Sequence, residues 1–230
     1  MTTISEWMAG IQANRNVQYR LQYSNGLRWF PVVLLGSLLG LFLSVTVAVA
    51  GENGSAKERV MGTVDQVMRI LSDTQLKAPG HAQERRQLVK QSVNGLLDYE
   101  EMGKRTLGAR WQKLTVVEQE EFVSVFRQFL SNSYESQFEA YSDEQVQYLG
   151  ERRKSRFAEV LTVLVSNKGE IPLDFRLIWK SEQWWVYDMV VDGVSMVKNY
   201  RAQFTRIIRS SSFHGLLAKL KTKTELALTR

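Results

Sequence analysis

Hydrophobic positions recur at helical spacing through the part of the chain that follows residue 50. Apolar residues three and four positions apart predict helices over about 57–74, from about 83, over 99–107 and over about 115–141. The long helix begins at Thr115-Val116-Val117-Glu118. This is a capping-box sequence, because the Thr hydroxyl and the Glu carboxylate can each bond a free backbone N–H of the first turn.

The pattern changes to alternation after residue 144. It predicts strands over 145–150, 157–166, 171–180 and 184–191. Asn167-Lys168-Gly169 and Ser181-Glu182-Gln183 leave room only for short turns, so neighbouring strands are antiparallel. Ser195 can cap a helix that runs to about 208, and a last helix is predicted over 213–220. The order of elements predicts one α+β domain with a four-stranded antiparallel sheet and about six to seven helices.

The N-terminal part has the pattern of an export signal. Residues 31–50 form an uncharged apolar run, preceded by Arg15, Arg20 and Arg28. Small residues in Ala48-Val49-Ala50 predict a signal peptide cleaved after Ala50. An uncleaved membrane anchor is the alternative, because twenty helical residues span ~30 Å and the thirty-residue stretch before them is long for a signal peptide. In both cases residues 1–50 are a leader, and residues 51–230 are the exported domain.

Composition limits the chemistry that this domain can perform. The 230 residues include no Cys, which excludes disulfides, thiolate nucleophiles, Cys-ligated zinc and an acylated lipoprotein anchor. No phosphate-binding, dinucleotide-binding or metalloprotease motif is present, so the sequence predicts neither an enzyme nor a metal or cofactor site. An exported domain without Cys fits a bacterial periplasm. A net charge of +6 is too mild to indicate nucleic-acid binding.

Four polar residues are the remaining candidates for catalysis. His81 lies in a Pro-Gly turn and is interpreted as a solvated loop residue, and His214 with Ser195 matches a nucleophile–base pair only weakly. Asp188 lies inside the apolar segment 184–191. It is either a proton-transfer base or a buried carboxylate that holds a loop or a helix N-terminus. The structural interpretation is favoured, because structural networks also contain such residues.

The chain is rich in aromatic residues, with six Trp, ten Phe and eight Tyr. Trp184 and Trp185 put one ring on each face of a strand. This indicates either a core on both faces of the sheet or an apolar cavity between the sheet and the helices, and periodicity leaves both open. Basic residues cluster over 152–156, over 201–209 and over 219–223. They serve solubility, or they contact phosphate head groups, an anionic membrane surface or an acidic partner.

Several segments together resemble one protein family. Trp185-Val186-Tyr187-Asp188-Met189-Val190-Val191-Asp192-Gly193-Val194-Ser195-Met196-Val197 is similar to the most characteristic segment of the MlaC, or toluene-tolerance, family. The segments 199–204 and 215–220 continue the resemblance, and Leu107-Gly108-Ala109-Arg110-Trp111 extends it into the helical half. The resemblance implies an NTF2-like cone with a curved sheet. It also implies a periplasmic phospholipid carrier that acts between an outer-membrane lipoprotein complex and an inner-membrane ABC transporter with an MCE ring.

The resemblance also implies which residues to examine. It implies a bound phospholipid as the cargo and no cofactor. The candidates for lining a lipid cavity that lie in the matching segments are Trp185, Tyr187, Met189, Val194, Met196, Tyr200 and Phe204. The apolar pattern of the long helix and of the strands adds Phe126, Phe175, Leu177 and Trp179. Asp188, Gly193 and Arg201 are expected to support the loop between the sheet and the following helix. The alternatives are a carrier of hopanoids or other polycyclic lipids, a small NTF2-like isomerase or dehydratase with Asp188 as the base, and a structural adaptor with a packed interior.

Overall fold

The computed structural model describes residues 54–139, 144–167 and 169–228. The predicted leader 1–50, the predicted helix end at Tyr141 and Lys168 of the predicted turn lie outside these residues. In the part of the chain that the structure describes, none of the helices is long and apolar enough to cross a membrane.

The helices lie where the apolar periodicity predicts them. They are α1 (Ala56–Ser72), α2 (Ala82–Asn94), α3 (Tyr99–Leu107), a 3-10 helix (Gly108–Lys113), α4 (Val116–Glu139), α5 (Met196–Ser210) and α6 (Phe213–Leu228). The capping box is confirmed, because Glu118 N–H donates to the Thr115 hydroxyl at 3.2 Å and Thr115 N–H donates to the Glu118 carboxylate at 2.8 Å. α6 continues eight residues beyond the predicted end, because it packs along α4 to buried Thr224.

The strands form one antiparallel sheet in the order β1 (Gln145–Lys154), β2 (Phe157–Ser166), β3 (Gly169–Lys180), β4 (Gln183–Val191) and β5 (Val194–Ser195). The predicted count of four strands is wrong by one, because the two residues of β5 pair with the end of β4. β1 is also longer than predicted. The register shifts at Leu149, and the chain then continues as strand through Arg152, Arg153 and Lys154, which lie beyond the predicted strand end at residue 150. An edge strand accommodates such a run of charged residues.

The sheet has two distinct faces. We define the inner face by Val160 and Phe175, which are direct partners on β2 and β3, and by Leu177 and Val186, which are direct partners on β3 and β4. These side chains are at most 6% exposed and belong to one core with residues of α1, α3, α4, α5 and α6. A register shift at Tyr187 bends β4, because one extra residue is accommodated there.

Aromatic side chains join α4 and α5 in the middle of this core. The ring centroids of Phe122 and Phe126 are 5.5 Å apart, and those of Phe126 and Phe204 are 5.8 Å apart. Phe129 meets Tyr200 edge to face at 5.6 Å. These distances are typical of favourable aromatic pairs, so the two helices are fixed to each other by their buried rings.

Candidate functional site

Asp188 holds the N-terminus of α5. Its side chain is buried, and one carboxylate oxygen accepts from the backbone N–H of Val197 at 3.0 Å. The other oxygen accepts from the Ser195 hydroxyl at 2.6 Å, and Ser195 in turn caps the helix by accepting from Lys198 N–H at 3.1 Å. The interpretation of Asp188 as a carboxylate that holds a helix N-terminus is therefore confirmed.

Arg176 completes this network from the neighbouring strand. Its guanidinium contacts Asp188 at 3.2 Å and Glu159 at 3.2 Å. Partial burial alone would lower the pKa of Arg176, but the hydrogen bonds and charges of the two carboxylates outweigh it and raise that pKa. The Ser195 hydroxyl is thus engaged with Asp188 and with the backbone of Lys198, and neither histidine is among its described hydrogen-bond partners.

The two histidines lie at other helix starts. His81 precedes α2 and contacts the Glu84 carboxylate at 2.9 Å, where both side chains are largely exposed. His214 is exposed in the first turn of α6, next to the ring of Phe213. Within the described ranges, no group of three or more His, Asp or Glu side chains is placed to hold a metal ion.

The eleven cavity candidates fall into three classes of burial. Those buried in the core are Phe126, Phe175, Leu177, Met196, Tyr200 and Phe204. Those partly buried are Trp179, Trp185, Tyr187 and Met189, whereas Val194 is 42% exposed on β5.

The partly buried candidates divide between the two faces of the sheet. Met189 is the direct partner of Phe175 on the inner face. Trp185 pairs with Ile178 on the opposite side, which we call the outer face. Tyr187 meets the Phe157 ring edge to face at 6.1 Å, and the Arg105 guanidinium lies 3.9 Å from its ring centroid. The structure therefore brings Trp179, Tyr187 and Met189 into contact with the core that contains the buried candidates, whereas Trp185 does not pack against that core.

A row of apolar residues that the sequence did not single out continues the inner face toward the β2–β3 turn. Val146, Leu164 and Ile171 are direct partners across β1, β2 and β3. All three are partly buried, and none belongs to the core cluster. Leu173 and Met189 connect this inner-face row to the core. The alternation in β2 could not reveal it, because both faces of that strand are apolar near its end.

Tyr148 lies beside the inner-face row on β1. Its direct partner is Thr162, whose hydroxyl donates to the carbonyl oxygen of Leu173. The Tyr148 hydroxyl is buried and has no hydrogen-bond partner among the described residues. Burial raises the pKa of Tyr148 to about 12, and the nearby charge of Asp65 adds to the effect.

An open pocket of about 240 Å³ lies at the opposite end of the sheet. It is lined by Arg153, Ser155, Arg156, Trp179 and Trp184. The indole N–H of Trp184 donates to the carbonyl of Gly54 at 2.7 Å, and the Arg153 guanidinium lies over the Trp184 ring. This end of the sheet therefore fixes the first described residues of the chain.

These features define an α+β domain whose sheet presents an apolar inner face to a layer of helices. The family model described as "MlaC protein" matches residues 62–222, and the chain belongs to the MlaC family. The family resemblance read from the sequence is thereby confirmed.

Two relatives give the extent of the similarity. The chain is 22% identical over 200 residues to the intermembrane phospholipid transport system binding protein MlaC of Haemophilus influenzae, covering 84% of this chain and 92% of that protein. A solved phospholipid-binding protein from Ralstonia solanacearum, in complex with a phospholipid, is 23% identical. It superposes with a TM-score of 0.68 over 76% of this chain and 99% of that chain, which confirms the fold.

Proposed function

We propose that this protein is a phospholipid carrier. Two relatives of matching extent support the proposal, because one is named as a phospholipid transport binding protein and the other was solved with a phospholipid. The observation within this chain that carries it is the inner-face row of Val146, Leu164 and Ile171, which extends the apolar interior beyond the packed core.

Acyl chains are the ligand that such a surface suits. Burying each CH₂ group contributes ~0.8 kcal/mol, so two acyl chains bind by contact with apolar side chains alone. Of the eleven cavity candidates, Met189 is the one that is partly buried on the inner face and also connects the row to the core. We therefore place the chains along Leu164, Leu173 and Met189. The deeply buried candidates Phe126 and Phe204 belong to the core against which Leu173 and Met189 pack.

The proposal includes the route of the lipid. The protein is exported to the periplasm by its leader and moves phospholipid between an outer-membrane lipoprotein complex and an inner-membrane MCE/ABC transporter complex. A ligand held by apolar contacts has no bond to break, so release follows a change in the interior when the carrier docks on a partner. Asp188 takes no part in this step, because its oxygens are already bonded to Ser195, Val197 and Arg176.

The test is lipid extraction and native mass spectrometry of residues 51–230. The described residues of this part form one large core and a smaller cluster between α1 and α2, and the solved relative has the same fold over 99% of its chain. We expect a co-purified phospholipid, and transfer of labelled phospholipid from donor to acceptor vesicles. Absence of both would contradict the proposal. A packed interior without lipid would instead indicate a structural adaptor.

A further inference from the structure

The three basic clusters of the sequence differ in whether their side chains form ion pairs with carboxylates. In β1, Arg153 contacts Glu151 at 3.5 Å and Arg152 contacts Glu159 at 3.9 Å. In α6, Lys221 contacts Glu121 at 2.8 Å. α5 is different, because it contains no Asp or Glu and none of its basic side chains forms an ion pair with a described residue. These side chains are Lys198, Arg201, Arg206 and Arg209.

Further unpaired cations lie beside α5. Lys104 at the end of α3, and Arg110 and Lys113 in the 3-10 helix, are exposed and form no ion pair within the part of the chain that the structure describes. α3 packs along α5, and Arg201 lies over Gly108 at the start of the 3-10 helix. We name the resulting surface the basic face. It consists of Lys104, Arg110, Lys113, Lys198, Arg201, Arg206 and Arg209.

The cations of α5 lie on its exposed surface, and the Arg201 side chain also covers Gly108. Met196, Val197, Tyr200 and Phe204 are buried on one side of the helix, whereas Lys198, Ala202, Thr205 and Arg209 follow one another along its exposed side. The residues between the cations on this side are small. None of the large hydrophobic side chains exposed in the described ranges lies on α3, on the 3-10 helix or on α5.

The carboxylates that border the basic face are mostly engaged. Glu101 contacts Arg105 at 2.7 Å, Glu118 accepts from Thr115, and Glu121 contacts Lys221. Glu120 is exposed beside them in the first turns of α4. The seven cations of the basic face therefore outnumber these four carboxylates, two of which are already paired with Arg105 and Lys221.

We propose that the basic face binds the anionic surface of a phospholipid bilayer. Clustered Lys and Arg side chains are attracted to anionic lipids without needing a shaped partner. A stable protein interface has instead a desolvated apolar centre, which this face lacks. Val116 and Val117 are exposed three and four residues beyond Lys113, at the rim, where they can contact the head-group region.

This binding goes beyond lipid carriage. The basic face lies on the solvent side of α5, whereas the proposed acyl-chain site lies on the inner face of the sheet. A carrier with such a face is held at the membrane from which it takes, or to which it gives, a lipid. The two proposals fail separately, because one is measured by vesicle binding and the other by retained lipid.

The test is co-sedimentation of residues 51–230 with vesicles of phosphatidylcholine, with and without phosphatidylglycerol. We expect binding only where phosphatidylglycerol is present, and weaker binding as the salt concentration rises. The triple variant Lys198→Gln/Arg206→Gln/Arg209→Gln should lower this binding by ~10-fold or more while it still retains its lipid.

The matched control removes three exposed cations elsewhere. Lys77→Gln/Lys90→Gln/Lys154→Gln has the same net charge as the first variant and should bind vesicles as the unmodified protein does. Equal losses of vesicle binding in both triple variants would show that net charge alone is responsible, and this would overturn the proposal for the basic face. Lack of binding to phosphatidylglycerol vesicles would overturn it as well and leave an acidic protein as the partner of these cations.

Discussion

The guanidinium of Arg201 lies directly over the α-carbon of Gly108. A β-carbon on Gly108 would be 2.6 Å from a guanidinium nitrogen, and its φ of +58° is one that other residues rarely adopt. Gly108 and Arg201 belong to two of the segments that resemble the MlaC family, 93 positions apart. Their contact joins the helical half of the chain to the helix that follows the sheet.

The first prediction concerns this contact. Gly108→Ala should lower the free energy of unfolding by about 1–3 kcal/mol, because the β-carbon meets Arg201 and the backbone is strained. Gly62→Ala is the control. Its β-carbon meets nothing within 4 Å on α1, so it should be neutral or stabilising by up to ~1 kcal/mol. Chemical denaturation measures both changes, and equal stabilities would contradict the prediction.

Asp188→Asn should destabilise the protein by roughly 2–4 kcal/mol, because it removes the buried charge that Arg176 and the start of α5 share. Asp192→Asn, the same chemical change four residues later, should stay within ~0.5 kcal/mol. Lipid retention by the folded fraction should not change. Loss of lipid transfer at unchanged stability would reveal a functional role that the hydrogen bonds do not explain.

The proposed acyl-chain site can be tested with two neighbouring residues of β2. Leu164 and Val163 are both partly buried, but successive side chains of a strand point to opposite faces. Leu164→Asp places a charge among the acyl chains and should reduce co-purified phospholipid by ~10-fold or more. Val163→Asp should leave the lipid content unchanged. If the two variants lose lipid equally, the chains do not lie on the inner face.

Tyr148→Phe should raise the free energy of unfolding by about 1 kcal/mol at pH 8, because it removes a buried hydroxyl that has no partner. Tyr99→Phe should instead lower it by a similar ~1 kcal/mol, because the Tyr99 hydroxyl donates to Asn94. Denaturation of the two variants side by side gives the sign of each effect.

The pH dependence provides a second readout for Tyr148. Its pKa is about 12 in the folded protein and near 10.0 when exposed. The unfolded chain therefore loses the proton first, so ionisation of this tyrosine does not affect the free energy of unfolding below pH 10 and lowers it as the pH rises from 10 toward 12. The variant lacks that decline. If the free energies of unfolding of the unmodified protein and of Tyr148→Phe change in parallel between pH 8 and pH 12, this prediction is contradicted.

Local sequence patterns predicted the elements that are stabilised by contacts between residues close to each other in the sequence. The helix starts at Thr115 and Ser195 were recognisable, because a capping side chain acts within three residues of its own position. The buried role of Asp188 was also predictable, since a carboxylate inside an apolar strand needs donors and a helix start followed seven residues later. The family resemblance rested on segments that the structure brings into contact, as Gly108 and Arg201 show.

The elements that depend on pairing were harder to predict. Arg152 to Lys154 have the composition of a turn. They nevertheless lie in a strand, because β2 provides the backbone hydrogen-bonding partner for them. β5 has two residues and no pattern of its own. Leu164 and Ile171 look like any strand residues, and only the register across three strands shows that they continue one apolar surface past the core.

The start of α1 is completed by residues much later in the chain. Glu151 accepts from the Ser55 hydroxyl at 2.7 Å and from Lys57 N–H at 2.9 Å, and Trp184 bonds Gly54 across 130 positions. Contacts with such sequence separation form only after the intervening chain has been brought together. The contacts that hold the start of α1 therefore form only once β1 and β4 are in place. The first helix that the structure describes is completed by strands that are synthesised after it.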